Sequence, residues 1–97
     1  MENNLIHDVQ LVELKEIPEK KGSVLHMLRN DEQDFVKFGE CYFSEVNVNS
    51  IKGWKKHLLQ TQNISVPIGM VKFVLFDSRE DSPTYKNILE ISLGRPD

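Results

Sequence analysis

Ninety-seven residues carrying 15 acidic and 12 basic side chains have a formal charge of −3, which excludes the basic footprint a nucleic-acid backbone demands. No apolar run approaches the roughly 20 residues that cross a bilayer, and the one cysteine, Cys41, cannot close an intrachain bridge. The expected address is therefore cytoplasmic, with no nucleic-acid or membrane partner.

The length suits a single domain over residues 1–97 with a thin core, for which a homodimer is the expected source of extra burial. Residues 1–8 are polar apart from Leu5 and Ile6 and read as a loose N-terminal arm or an edge strand. Val9 to Leu14 fits strand or helix by period, with strand favoured, until Pro18 and the Glu19-Lys20-Lys21-Gly22 turn stop it. Ser23 to Leu28 is a short apolar stretch ahead of the polar run Arg29 to Asp34.

Gly39 to Val48 gives the clearest strand pattern, with Cys41 and Phe43 on one face and Tyr42, Val46 and Val48 on the other. Turn residues from Asn47 to Gly53 lead into a polar, basic segment from Trp54 to Gln62. Ile64, Val66 and Ile68 then alternate around Pro67, which points to an edge strand or a bulge. Gly69-Met70 makes a tight connection into Val71 to Phe76, a second confident strand, and the spacing predicts a hairpin between the two. A polar loop from Asp77 to Lys86 precedes a last strand on Leu89, Ile91 and Leu93. Short strands separated by turn residues indicate a sandwich, jelly roll or barrel.

Three histidines are candidates for chemistry. His7 reads as a solvated arm residue. His26 follows an apolar pair and reads as a partly buried or subunit-facing side chain, or as a ligand contact. His57 closes the run Lys52-Gly53-Trp54-Lys55-Lys56-His57. An imidazole that titrates near neutrality can act as general base or acid, and flanking ammonium groups can hold a phosphate or an enolate; the competing reading is an exposed polar strand end. Lys52, Lys55 and Lys56 are either a solvated turn or an anion site. Cys41 in mid-strand reads as a small buried apolar residue. Asp77, Arg79 and Asp81 shape their loop by ion pairing and Asx-type bonds, or else Arg79 meets a substrate phosphate.

Four stretches in order resemble the dTDP-4-dehydrorhamnose 3,5-epimerase family across residues 18 to 94. They are Gly22-Ser23-Val24-Leu25-His26-Met27-Leu28, Phe38-Gly39-Glu40-Cys41-Tyr42-Phe43-Ser44, Ile51-Lys52-Gly53-Trp54, and the Asp77 to Thr84 loop with its Asp-x-Arg-x-x-Ser-Pro-Thr pattern. The resemblance implies an all-β, cupin-like jelly roll or double-stranded β-helix, shortened at its C-terminal end. It implies a homodimer that acts on a nucleotide-linked sugar, a dTDP-4-keto-6-deoxysugar. In such proteins a histidine removes the proton beside the keto group, a lysine or neighbouring donor stabilises the enolate, and a tyrosine returns the proton.

Carried onto this chain, the family's Arg-Gly-x-His reads Lys52-Gly53-Trp54-Lys55, so Lys55 stands where the base is expected. His57, two residues on, takes the place of the second histidine in the His-x-His of related ketoisomerases. The pleat of a strand would put both side chains on one side, at the mouth of a barrel. Gln62 aligns with the enolate lysine, Lys21-Gly22 with an Arg-Gly opening, and His26 with an acid near it. The implied catalytic pair is thus His57 and Lys55, and the implied substrate contacts are Lys21, His26, Lys52, Gln62 and Arg79. The metal-cupin positions read Lys55-x-His57, Gln62 and Gly69, one good ligand among them, so no metal or other cofactor is expected. The alternative is a catalytically silent cupin that binds a sugar nucleotide or serves as a dimerisation domain.

Overall fold

The computed structural model describes residues 5–33, 35–58 and 60–95, so residues 1–4 of the expected arm lie outside it. Among the described residues there is no helix; four strands form two antiparallel pairs. The chain divides into two compact units, one joining Met1–His26 with Ser65–Asp97 and the other running from Met27 to Ile64.

In the first unit, β1 (Glu16–Ile17) pairs with β2 (Val24–Leu25), and the His26 amide extends the pairing by donating to the Lys15 carbonyl at 2.9 Å. Gly22, at φ 134°, turns the chain between them while its N–H donates to the Glu19 carbonyl at 3.1 Å. A side chain would resist that φ, which is why the turn falls on glycine.

The larger pair is β3 (Met70–Phe76) with β4 (Ile88–Gly94), in register from Met70 opposite Gly94 to Phe76 opposite Ile88. Both strands agree with the expected alternation of Val71, Phe73 and Leu75 and of Leu89, Ile91 and Leu93. Val71, Phe73 and Leu75 face Leu93, Ile91 and Leu89, so six apolar side chains share one half-buried face. Such cross-strand pairs contribute roughly 0.2–1 kcal/mol each. On the other face Lys72 and Glu90 meet at 2.8 Å, an exposed ion pair worth at most about 1 kcal/mol. At the open end, the Arg95 amide donates to the Gly69 carbonyl at 2.9 Å, and the Arg95 guanidinium reaches Glu16 of β1 at 3.1 Å.

The buried residues among those described are Ile6 (8% exposed) and Asp77 (3%), both in this unit. The expected loose arm is tied down from residue 5 onward. Asn87 Nδ2 donates to the Leu5 carbonyl at 2.9 Å, and the His7 amide donates to Thr84 Oγ1 at 2.8 Å. Polar composition suggested looseness there, but the main chain of this strap supplies the partners that the 77–87 loop lacks.

Three strand expectations are corrected. Val9 to Leu14 forms no ladder, and β3 pairs with β4, not with the Ile64 to Ile68 segment. Gly39 to Val48 carries no strand either; Phe43 is 94% and Val48 90% exposed, and Cys41 is exposed, not buried. Alternating apolar residues form a strand only where a neighbouring backbone satisfies their N–H and C=O groups. In the second unit the order that is present comes from turns, at Arg29 to Phe35 and at Asn47 to Ser50.

Candidate functional site

The basic segment begins at a turn whose Ser50 amide donates to the Asn47 carbonyl at 3.0 Å, with Asn49 at φ 64°. Asparagine tolerates that left-handed conformation better than most residues. Lys52 fastens the turn from the far side, its Nζ donating to Ser44 Oγ at 2.7 Å and to the Glu45 carbonyl at 2.9 Å. An ammonium has three donors, so one proton of Lys52 is left to point elsewhere.

Farther along, the imidazole of His57 lies between two side-chain amides. Gln60 Nε2 is 2.8 Å from its Nδ1, and Gln62 Nε2 is 3.1 Å from its Nε2. The ring is exposed, and so are both glutamines. Trp54, Lys55 and Lys56 are exposed as well. Residues 52–58 make no ladder, so the alternation that would align Lys55 with His57 is missing, and among the described residues no hydrogen bond joins the two.

Gln62 is therefore the one expected site residue that the structure brings onto His57. Gln60 was not legible beforehand: residues three and five positions from a histidine in irregular chain follow no period that would mark them.

The remaining expected residues belong to the other unit. Lys21 is exposed in the β1–β2 turn, and His26 is half-buried just past β2. All three guanidinium nitrogens of Arg79 make local bonds. Its Nε donates to Asp77 Oδ1 at 2.9 Å, Nη1 to Asp8 at 3.2 Å, and Nη2 to the His7 carbonyl at 2.7 Å and Asp77 Oδ2 at 3.1 Å. Ser82 Oγ and Thr84 Oγ1 donate to Asp77 Oδ2 at 2.6 and 2.7 Å. The Arg79 guanidinium, then the two hydroxyls, hold the Asp77 carboxyl well below the usual carboxylate range, and Asp77 in turn raises the pKa of Arg79. The Asp-x-Arg-x-x-Ser-x-Thr pattern thus closes on itself around one buried carboxylate.

Among the described residues the strands form antiparallel pairs and there is no helix, as an all-β, cupin-like fold requires. Two comparisons show that the chain is similar to sugar-nucleotide isomerases and epimerases. A crystal structure of a dTDP sugar isomerase from Desulfovibrio desulfuricans G20 superposes with a TM-score of 0.82 at 43% identity, over 95% of this chain and 59% of that one. A probable low-salt glycan biosynthesis epimerase of Haloferax volcanii is 30% identical over 91 residues, 92% of this chain and 58% of that protein. The chain thus spans about three-fifths of the length of each relative. No family model matches the chain. Among the described residues no helix is long and apolar enough to cross a membrane.

Proposed function

We propose that the chain serves a sugar-nucleotide epimerase or isomerase of deoxysugar and glycan biosynthesis, moving a proton at the carbon beside a keto group of a dTDP-linked 4-keto-6-deoxysugar. The observation that carries this reading is the 43% identity to a dTDP sugar isomerase, which holds over 95% of the chain. A carbon beside a ketone gives up its proton because the remaining charge moves onto the carbonyl oxygen, where a cation or hydrogen-bond donor can meet it.

In this reading His57 accepts the proton, and Lys55 with the third proton of Lys52 faces the oxygen. Gln62 contacts the sugar. Arg79 shapes the loop. The test is proton exchange at that carbon in heavy water. Exchange faster with the chain than without it, and lost in His57→Ala, is the expected result; no acceleration by the unaltered chain overturns the reading.

A second reading, a catalytically silent cupin that binds the nucleotide, is favoured by an exposed Lys55 standing where the resembled family keeps its histidine base. Calorimetry separates the two: heat of dTDP binding without exchange selects the silent form, and no heat with dTDP or its sugars removes it. A homodimer, seen as a dimer in sedimentation, belongs to either.

A further inference from the structure

We propose that Gln60 is a positioning residue that fixes the tautomer of His57, its side-chain oxygen accepting the Nδ1 proton and leaving Nε2 with the lone pair. The inference starts from a mismatch. As placed, both amides turn their nitrogens toward the ring, Gln60 to Nδ1 at 2.8 Å and Gln62 to Nε2 at 3.1 Å. Two N–H donors facing the two ring nitrogens need two acceptors. A neutral imidazole offers one and an imidazolium none. At least one amide must therefore present its oxygen, by a half-turn about its last bond that moves no other atom, because amide nitrogen and oxygen are nearly the same size.

Which amide turns follows from the role given to His57 above, on which the proposal rests. A ring that takes a proton from carbon needs a lone pair on the nitrogen that meets substrate and a held N–H on the other. Gln62 is the glutamine assigned to the sugar, so its N–H rests on Nε2 in the free protein and leaves when substrate arrives. Gln60 holds the nearer contact, on Nδ1, and keeps the ring's proton there. An amide does this without adding charge. A carboxylate in the same place would fix the same tautomer but also favour the imidazolium, which cannot act as a base.

The test is two-bond nitrogen–proton correlation NMR of His57 in the full chain, at a pH where the ring is neutral. Expected is a protonated Nδ1 and a bare Nε2, the tautomer that a free imidazole disfavours. Gln60→Ala is expected to shift the ring toward the Nε2-protonated form, and Gln62→Ala to leave Nδ1 protonated. Both glutamines are exposed, so neither replacement threatens the fold. A wild-type ring protonated on Nε2, or a tautomer that Gln60→Ala leaves unchanged, overturns the proposal. This readout needs no turnover, so a chain that fails to exchange substrate protons sinks the functional reading alone. Where exchange occurs, Gln60→Ala is expected to lower kcat several-fold with KM unchanged, whereas Gln62→Ala raises KM.

Discussion

Asp77 is a carboxylate removed from water yet accepting from a guanidinium, two hydroxyls and the Arg79 main-chain N–H, which donates to Oδ1 at 3.1 Å. Its pKa in the folded chain is lowered, chiefly by Arg79, so between that value and the ordinary carboxylate value of about 4 the unfolded chain binds more protons than the folded one. The stability from this pairing is complete above the ordinary value and is lost as pH falls below it toward the folded value. Denaturant midpoints of the native chain should hold steady from neutral pH down to about 5 and then decline. In Asp77→Asn the midpoint should be lower at neutral pH, because Arg79 loses its anion, and the decline on acidification should be shallower. An equal acid slope in both proteins would show that other groups control it.

At the scale of elements, the β3–β4 ladder depends on a close approach at its open end. Gly94 sits at φ 146°, and a Cβ there would collide with the Gly69 carbonyl and lie 2.8 Å from the Met70 Cα. Gly94→Ala is expected to cost about 1–3 kcal/mol and to speed hydrogen exchange of the Arg95 amide, whose acceptor is that same Gly69 carbonyl; Ser92→Ala, in the same strand on an exposed position, should leave it protected. Each of these two strands has a sequence in which every second residue is apolar, Val71, Phe73 and Leu75 in one and Leu89, Ile91 and Leu93 in the other, although their pairing with each other does not follow from it. Gly39 to Val48 and Ile64 to Ile68 alternate just as well. Yet a pattern of apolar residues states which side chains seek cover, not which backbone pairs with them. The site divides similarly: His57 and Gln62 were marked by kinship of sequence, whereas Gln60 depends on side-chain torsions that leave no trace in residue order.

For the whole molecule, the balance is between apolar surface and a small charge. Phe43, Ile51, Val48 and Ile68 are each at least 88% exposed, and the formal charge is only −3. A hairpin with two strands is marginal in water without a further layer on its apolar face, and a second copy is one source of that cover. The chain is expected to enhance the fluorescence of an apolar dye such as ANS, with the enhancement falling as protein concentration rises and copies associate. Dye binding independent of concentration would argue against self-association. The same surface charge predicts no retardation of duplex DNA at physiological salt.

At Leu5 and His7 the strap is gripped by its peptide groups, the Leu5 carbonyl, the His7 amide and the His7 carbonyl, whereas Ile6 and Asp8 hold by their side chains. A hold of that sort is blind to most spelling changes. Leu5→Ser or His7→Ala should pass within about 0.5 kcal/mol, while His7→Pro, which deletes a donor, should cost about 1 kcal/mol, readable as a drop in thermal midpoint. Drift in the letters at positions 5 and 7 would therefore hide an unchanged attachment, and a comparison of those side chains alone would misjudge them as dispensable.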